Sequence, residues 1–319
     1  MSKKIPLLFP LLLLFSMIAI SANGYGEEGN GPIPVIDTHI HLYDLDRLPG
    51  LPWPEKDDKF LYKSMLSNDY NKVIAENNLA GVIVVEASPR VSDNDWVLHH
   101  TQKYQNKYLG LIGALEFDKK TFKDDLERLC VNERFLGLRI GTQSLDQPLN
   151  KDYLKDPVVL NNLQLLSDAG KALDVLIFKL NLDDVIFMAK KYPKLKIVIN
   201  HLGSVKIDGK DPDVEWQNKM KESASYPNVY CKVSSVMQQC SDKPASTDAN
   251  YYKNVLENVF SVFGEDRIIY GSNWPCTIRD GDFSGQFKVV RDFFTPKGRT
   301  VLEKLFYKNA QKVYGFKMK

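Results

Sequence analysis

The stretch "VIDTHIHLYD", residues 35–44, ends a short apolar run in two histidines. Side chains two residues apart on a strand point the same way, so His39 and His41 project toward one place if the strand continues through them. Two imidazoles aimed together suit metal ligation or a polar clamp on a substrate oxygen. Two hydrogen-bonded loop histidines would leave the same pattern, and the pair alone does not decide between these interpretations.

Short apolar runs of this kind recur along the chain, each rich in Val, Ile, Leu or aromatic residues, as strands buried on both faces are. Eight runs separated by helical patterns predict parallel strands with right-handed crossovers. Eight such units close a (β/α)8 TIM barrel, an α/β fold, within 319 residues. An open doubly wound sheet would carry a glycine-rich phosphate turn after its first strand, where this chain has His-x-His. The predicted strands are 35–39, 81–87, 109–115, 135–140, 173–178, 195–200, 228–233 and 267–271.

The segments between these runs carry helix signals. Asp156 and Pro157 suit the N-cap and first position of one helix. In "DDVIFMAKKYP", residues 183–193, apolar residues recur with helical spacing up to a final proline. Gly81 is predicted to cap the helix that precedes it, and Gly315 lies near the end of the last helix.

The chain opens with a basic start, an apolar stretch of about 15 residues and a small-residue exit, which is typical of a secretory signal peptide. An uncleaved membrane anchor is the alternative, although the apolar run is short for a span and contains Pro10. We expect cleavage after Gly24 and an exported protein, periplasmic or extracellular, with no stable membrane association after cleavage. The predicted organisation is a signal peptide at 1–24, a linker at 25–34 and a single barrel domain at 35–316.

Composition and net charge limit the classes of molecule that the chain is expected to bind. Hydrophobic residues make up 44% of the chain and charged residues 26%, as in soluble globular proteins. The net charge is +2 without a basic stripe, which argues against nucleic acid as a partner. The four cysteines show no C-x-x-C spacing, so no zinc knuckle is predicted, and disulfide pairing stays open.

More polar residues follow other predicted strands. His201 ends the sixth run in "VINHLG", and Asn273 follows the eighth in "IIYGSNWPC". In a barrel these strand ends lie on the face where active sites are built, so His201 is expected to join His39 and His41. Asn273 would face the same cavity, or simply make a turn. Two long loops, 42–67 and 234–250, leave the same face.

Six motifs, in this order and spacing, resemble the amidohydrolase-related family over nearly the whole mature chain. The branch that the chain most resembles contains sugar-acid lactonases, sulfomuconolactone hydrolases and pyrone-dicarboxylate lactonases. The resemblance implies a TIM-barrel hydrolase with a small-molecule substrate, which opens a lactone of a sugar acid or a related carboxylated ring. A metal-dependent decarboxylase on the same barrel and a non-catalytic binder of sugar acids remain alternatives. The motifs are "VIDTHIHLYD", "VVEAS", "VINHLG", "NVYCKVSS", "IIYGSNWPC" and "KLFYKNAQKVYGF".

The resemblance also implies site residues. The histidines of the family's first and sixth strands correspond to His39, His41 and His201, whereas Asn273 stands where many members carry an aspartate that acts as base. A carboxamide cannot accept a proton from water at neutral pH. Three accounts stay open: a metal lowers the pKa of its bound water, Glu86 serves as base with Asp37 a poorer candidate, or the protein binds without turnover.

The fourth and fifth predicted strands lack the bridging ligands of dinuclear members, so two metal ions are not expected. One divalent ion, zinc or manganese, on the three histidines is one prediction, and a metal-independent site is the other. Arg139 and Lys232 are predicted to bind substrate anions or oxygens, or else to pair with Glu86 or Asp37 at the barrel mouth. Trp274, and with it Trp53, is expected to wall the pocket or to be core.

Overall fold

The computed structural model describes residue 1 and residues 31–48, 50–141, 152–178 and 180–318. Residues 33–319 form one compact unit. The predicted signal peptide lies outside the described residues except for Met1, as does the linker up to residue 30, so these bounds and the domain bounds stay predictions. Within the described residues, no helix has the length and apolar character that crossing a bilayer requires.

Eight parallel strands follow one another around a nearly closed barrel in chain order, β1 to β8. The last strand meets the first through a bridge between Ile40 and Trp274, where the His41 amide donates to the Trp274 carbonyl at 2.7 Å. The predicted (β/α)8 barrel is therefore confirmed. The strands are β1 Ile36–Ile40, β2 Gly81–Val85, β3 Tyr108–Gly113, β4 Phe135–Ile140, β5 Ala172–Val175, β6 Ile197–Ile199, β7 Val229–Val233 and β8 Ile268–Tyr270.

Helices connect the strands. The Asp156 carboxylate accepts from the Val158 amide and Pro157 is the first helical residue, as predicted. The helices are α1 Ser67–Asn77, α2 Val91–His100, α3 Phe122–Cys130, α4 Pro157–Asp168, α5 Leu182–Lys191, α6 Val214–Ala224, α7 Lys253–Phe263, α8 Phe283–Phe294, α9 Arg299–Glu303 and α10 Asn309–Tyr314, with a π-helical turn, Lys304–Lys308, between the last two. Short 3-10 turns lie at Gln102–Tyr104, Tyr153–Lys155, Ala249–Tyr252, Cys276–Arg279 and Thr295–Lys297.

The prediction that Gly81 caps α1 is wrong. Asn78 takes the left-handed cap conformation, with φ at 49°, which asparagine tolerates better than most residues. Gly81 instead opens β2, where an added Cβ would lie 2.5 Å from Leu109 Cδ1. The glycine thus serves close packing inside the barrel. Gly315 does cap α10, with φ at 69°.

The barrel interior is filled with apolar side chains from all eight strands. The C-terminal segment joins this interior cluster through Ala310, Val313, Tyr314 and Phe316. A larger cluster fills the layer between the strands and the surrounding helices. Because of these contacts, the C-terminal segment is part of the barrel core rather than a surface appendage.

The four cysteines are free thiols, with none paired in a disulfide.

Candidate active site

The structure brings the three predicted histidines together at the carboxyl ends of their strands. The His39 and His41 rings lie 5.0 Å apart, centroid to centroid, and the His39 and His201 rings lie 4.4 Å apart. All three side chains are buried. Their roles in catalysis or metal binding stay predictions, and what the structure shows is that the three rings are neighbours.

His201 opens an unusual turn. Residues 201–204 all have positive φ, from 52° at His201 to 66° at Gly203. Left-handed backbone costs about 1–2 kcal/mol per non-glycine residue, so surrounding contacts must hold it. Trp216 Nε1 donates to the Leu202 carbonyl at 3.1 Å, and Gln239 Nε2 donates to the His201 carbonyl. Sequence patterns did not reveal these two residues, because their contacts exist only after α6 and the β7 loop have folded over the turn.

Burial keeps the imidazoles neutral. It lowers the pKa of His41 to about 4 and holds the pKa values of His39 and His201 well below 6.5. The positive charge of Arg139 adds to this lowering for all three rings. Neutral imidazole can accept a proton or ligate a metal, whereas imidazolium can do neither.

Asn273 contacts His41 directly. Nδ1 of His41 lies 3.1 Å from the Val85 carbonyl and 3.0 Å from the Glu86 carbonyl, so it carries the ring proton. The opposite nitrogen, Nε2, then has a lone pair, and it lies 3.2 Å from Oδ1 of Asn273, whose Nδ2 donates to the Ser235 hydroxyl at 3.1 Å. An amide oxygen accepts, so this contact is a hydrogen bond only when a proton lies between Nε2 and Oδ1. Asn273 therefore faces His41 with its acceptor atom.

Glu86 and Arg139 form a buried ion pair beside the histidines. Arg139 Nε donates to Glu86 Oε1 at 2.6 Å, and Nη2 donates to the Glu86 carbonyl at 2.8 Å. Of the two expected possibilities for Arg139, the pairing with Glu86 is present. Oε1 of Glu86 is thus occupied by the guanidinium, which counts against this oxygen as the acceptor of a proton from water. The predicted roles of the two side chains toward a substrate stay predictions.

Lys232 has a partner that the sequence did not suggest. Its ammonium donates to Asp174 Oδ2 at 2.6 Å and to the Thr38 carbonyl at 3.1 Å, with both side chains fully buried. The expected pairing with Glu86 or Asp37 is wrong, because Asp174 on β5 lies nearer across the barrel. These contacts make Lys232 part of the barrel interior, and its predicted contact with substrate stays untested.

The Asp37 carboxylate also accepts several hydrogen bonds from buried groups. Its carboxylate accepts from the Ser272 amide at 2.8 Å, the His39 amide at 3.0 Å and the Tyr70 hydroxyl at 2.5 Å. Burial raises its pKa despite these bonds. Asp37 thus ties β1 to the segment after β8 and to α1, which explains a carboxylate so deep in the first strand and makes it a poor base.

The two tryptophans differ in surroundings. The Trp274 ring packs against Tyr70 with centroids 5.0 Å apart and is 6% exposed, which corresponds to the core alternative rather than to a pocket wall. Its predicted role in substrate binding finds no support in this packing. The Trp53 ring, in the β1 loop, lies 5.5 Å from the His41 ring. Trp53 is therefore the aromatic side chain that adjoins the histidines.

The histidines suit a divalent ion in their chemistry. Both ring nitrogens of His39 are buried and make no hydrogen bond within the described part of the chain. Nδ1 of His201 is held by the Ser234 hydroxyl at 2.8 Å and Nδ1 of His41 by carbonyls, as metal-bound histidines usually are. No three His, Cys, Asp or Glu side chains of the described residues, however, are already grouped as a complete metal site. The donor atoms suit an ion in their chemistry, although the described residues do not form a complete three-ligand site.

Comparison with known proteins agrees with this geometry. The amidohydrolase family model matches residues 36–316. An L-fucono-1,5-lactonase from Burkholderia ambifaria is 25% identical over 248 residues, covering 78% of this chain and 82% of the relative. An L-rhamnono-gamma-lactonase from Scheffersomyces stipitis is 25% identical over 336 residues, covering 88% and 98%. A crystal structure of an amidohydrolase from Burkholderia multivorans with bound zinc superposes with a TM-score of 0.77 at 18% identity, covering 89% of this chain and all of that one. The prediction of an amidohydrolase-type hydrolase barrel is confirmed, and the chain belongs to the amidohydrolase family.

Proposed function

We propose that the protein hydrolyses a lactone of a sugar acid or a related carboxylated ring. The observation that carries this proposal is the cluster of three neutral, buried imidazoles beside the Arg139 guanidinium at the carboxyl ends of the barrel strands. Support comes from the two relatives named as lactonases, one for fuconate and one for rhamnonate lactones.

Hydrolysis needs a proton acceptor for the attacking water. His39 is our choice, because its ring nitrogens make no hydrogen bond to the described residues and its imidazole is neutral. As water bonds to the lactone carbonyl carbon, its proton passes to the imidazole. The ring C–O bond then breaks, and the leaving alkoxide takes that proton from His39, which gives a hydroxy acid and restores the neutral imidazole.

The carbonyl oxygen gains negative charge in this step. The Arg139 guanidinium is buried beside the histidines, and its charge acts on His41 and His201 through a medium with little water. A fixed positive charge at that place stabilises the oxyanion, and the same group suits a substrate carboxylate. Asn273 orients His41 rather than accepting protons.

We also propose that the site can hold one divalent ion, zinc or manganese, on His39 together with His41 and His201. In that form the lone pair of His39 would bind the ion, and the ion rather than this imidazole would activate the water. Such an ion would polarise the carbonyl and lower the pKa of bound water. The zinc in the Burkholderia multivorans amidohydrolase supports this proposal, and metal-independent hydrolysis is the outcome that would replace it.

A panel of sugar-acid and aliphatic lactones in a pH-indicator assay tests the function, with and without zinc or manganese. We expect the native protein to release one acid per lactone from at least one sugar-acid lactone. The variants are Asn273→Asp and, as a matched control at an exposed position of α4, Asn161→Asp, which should behave as the native protein does. Acid release by neither native protein nor Asn273→Asp would overturn the proposal. Activity in Asn273→Asp alone would identify the native chain as a binder, and carbon dioxide release would identify a decarboxylase.

We propose export of the mature chain, on the strength of the basic, apolar and small-residue order of the first 24 residues. Expression of the full chain in a Gram-negative host should yield periplasmic protein whose first residue, by N-terminal sequencing, is Tyr25. Recovery of uncut protein from the membrane or the cytoplasm would contradict export.

A further inference from the structure

A buried carboxylate collects three hydrogen bonds below the histidines. Asp174 lies on β5 and is fully buried. Its Oδ2 accepts from Lys232 Nζ at 2.6 Å and from Asn200 Nδ2 at 2.9 Å, and its Oδ1 accepts from the Tyr314 hydroxyl at 2.8 Å. The donors come from β7, from the end of β6 and from α10. One side chain therefore joins four separate parts of the chain.

Two of these bonds lead directly to the site. Asn200 is the residue before His201. Lys232 gives its second hydrogen bond to the carbonyl of Thr38, the residue before His39, at 3.1 Å. The Asn200 oxygen is buried without a partner in the described residues, so the bond to Asp174 is the main hold on that amide. Asp174 thus holds, directly or through Lys232, the backbone that carries each of two histidines.

A contribution to folding stability does not by itself explain the buried ion pair of Asp174 and Lys232. Removing an ion pair from water costs several kcal/mol per ion, and well-packed apolar residues often stabilise an interior as well or better. The rest of the barrel interior is made of residues such as Ile83, Ile112 and Val198. An aspartate and a lysine among them add directional bonds, which apolar contacts cannot supply.

We propose that Asp174 is a positioning residue that sets the placement of His39 relative to His201, and that Tyr314 of the C-terminal helix completes its hold. The inference rests on the proposed function for its effect on rate, since it assumes that these histidines act on the substrate. The C-terminal helix then contributes to activity from the opposite end of the barrel, through the chain Tyr314, Asp174, Lys232 and the Thr38 carbonyl.

Tyr314→Phe tests the proposal with the least disturbance, because it removes one hydroxyl. We expect kcat to fall about tenfold with KM changed less than about twofold, since small displacements of reacting groups cost rate. Tyr192→Phe is the matched control: its side chain is similarly buried, and it removes a partly buried hydroxyl that donates to the Leu160 carbonyl at 2.8 Å, outside the site. Tyr192→Phe should lose some thermal stability and keep kcat. An equal fall of kcat in both variants, per folded molecule, would overturn the proposal.

The double variant Asp174→Leu with Lys232→Met removes both charges together and leaves no unpaired buried ion. It should fold, with kcat lowered about a hundredfold. If it folds and keeps native kcat, Asp174 does not position the histidines. If the double variant does not fold, Tyr314→Phe still decides.

Nuclear magnetic resonance of the histidine side-chain nitrogens separates this inference from the function. The ring signals of His39 and His201 should shift in Tyr314→Phe and stay in place in Tyr192→Phe. The His41 signals should stay in place in both, because carbonyls of the β2 end hold that ring. A native protein that opens no lactone but shows these shifts would refute the function and retain the positioning. Unchanged His39 and His201 signals in Tyr314→Phe would overturn the positioning.

Discussion

Replacement of His39 by asparagine is expected to lower kcat about 10³-fold on any lactone that the protein opens. General acid–base groups contribute about 10²- to 10⁴-fold, and a metal ligand at this position would add to the loss. Asparagine keeps a polar group in a similar volume, so the fold should survive the change. Steady-state kinetics with purified, folded variant, checked by circular dichroism, measures the effect.

His99→Asn on the exposed side of α2 is the control for this change, since it replaces the same residue type outside the site. It should leave kcat and KM at native values. A His39→Asn protein with kcat within about fivefold of native would show that this imidazole neither accepts the proton nor holds the ion.

Acidification from pH 7 to pH 5 is expected to destabilise the metal-free protein, by about 2 kcal/mol through His41 and further through His39 and His201. Burial lowers the pKa of His41 to about 4, and the pKa values of His39 and His201 also lie well below 6.5. The unfolded chain therefore binds protons below pH 6.5 that the folded chain does not. The contribution to stability is complete above pH 6.5 and is lost as the pH falls toward the folded pKa values. Urea unfolding at pH 7, 6 and 5 with a chelator measures this slope.

His41→Gln should make the slope shallower by about one proton, or about 1.4 kcal/mol per pH unit below 6.5, and the exposed His99→Gln should not change it. A native protein equally stable at pH 7 and pH 5 in chelator would show that the three rings are not held neutral. Added zinc should steepen the loss toward acid pH, because protons compete with the ion for the imidazoles.

The local sequence pattern was sufficient to predict the barrel fold. Each apolar run was short and bounded by turn residues, so eight strands could be counted, and His-x-His in place of a glycine-rich turn favoured the closed barrel. The sequence pattern gave a wrong prediction where either of two nearby residues could end a helix. Gly81 was expected to cap α1, but Asn78 does so, because either residue tolerates left-handed backbone.

The sequence predicted site residues only where a position at a strand end shows which face of the barrel the side chain lies on. His39, His41 and His201 could be placed at one mouth because all parallel strands end on the same face. The partner of Lys232 could not be predicted, since Asp174 lies 58 residues away and its distance across the barrel depends on how all strands tilt. For the same reason the Trp53 ring packs near His41, whereas the Trp274 ring packs against Tyr70.

The sequence by itself determined the class of fold, the family and the three histidines, because these follow from periodicity and from residues next to strand ends. Tertiary structure alone decided the charges and bonds of the site: which carboxylate meets Lys232, that Glu86 is held by Arg139, and that the imidazoles are neutral. The physical reason is that pKa and pairing depend on burial and on distances between residues far apart in the chain. Those quantities come into existence only when the barrel closes.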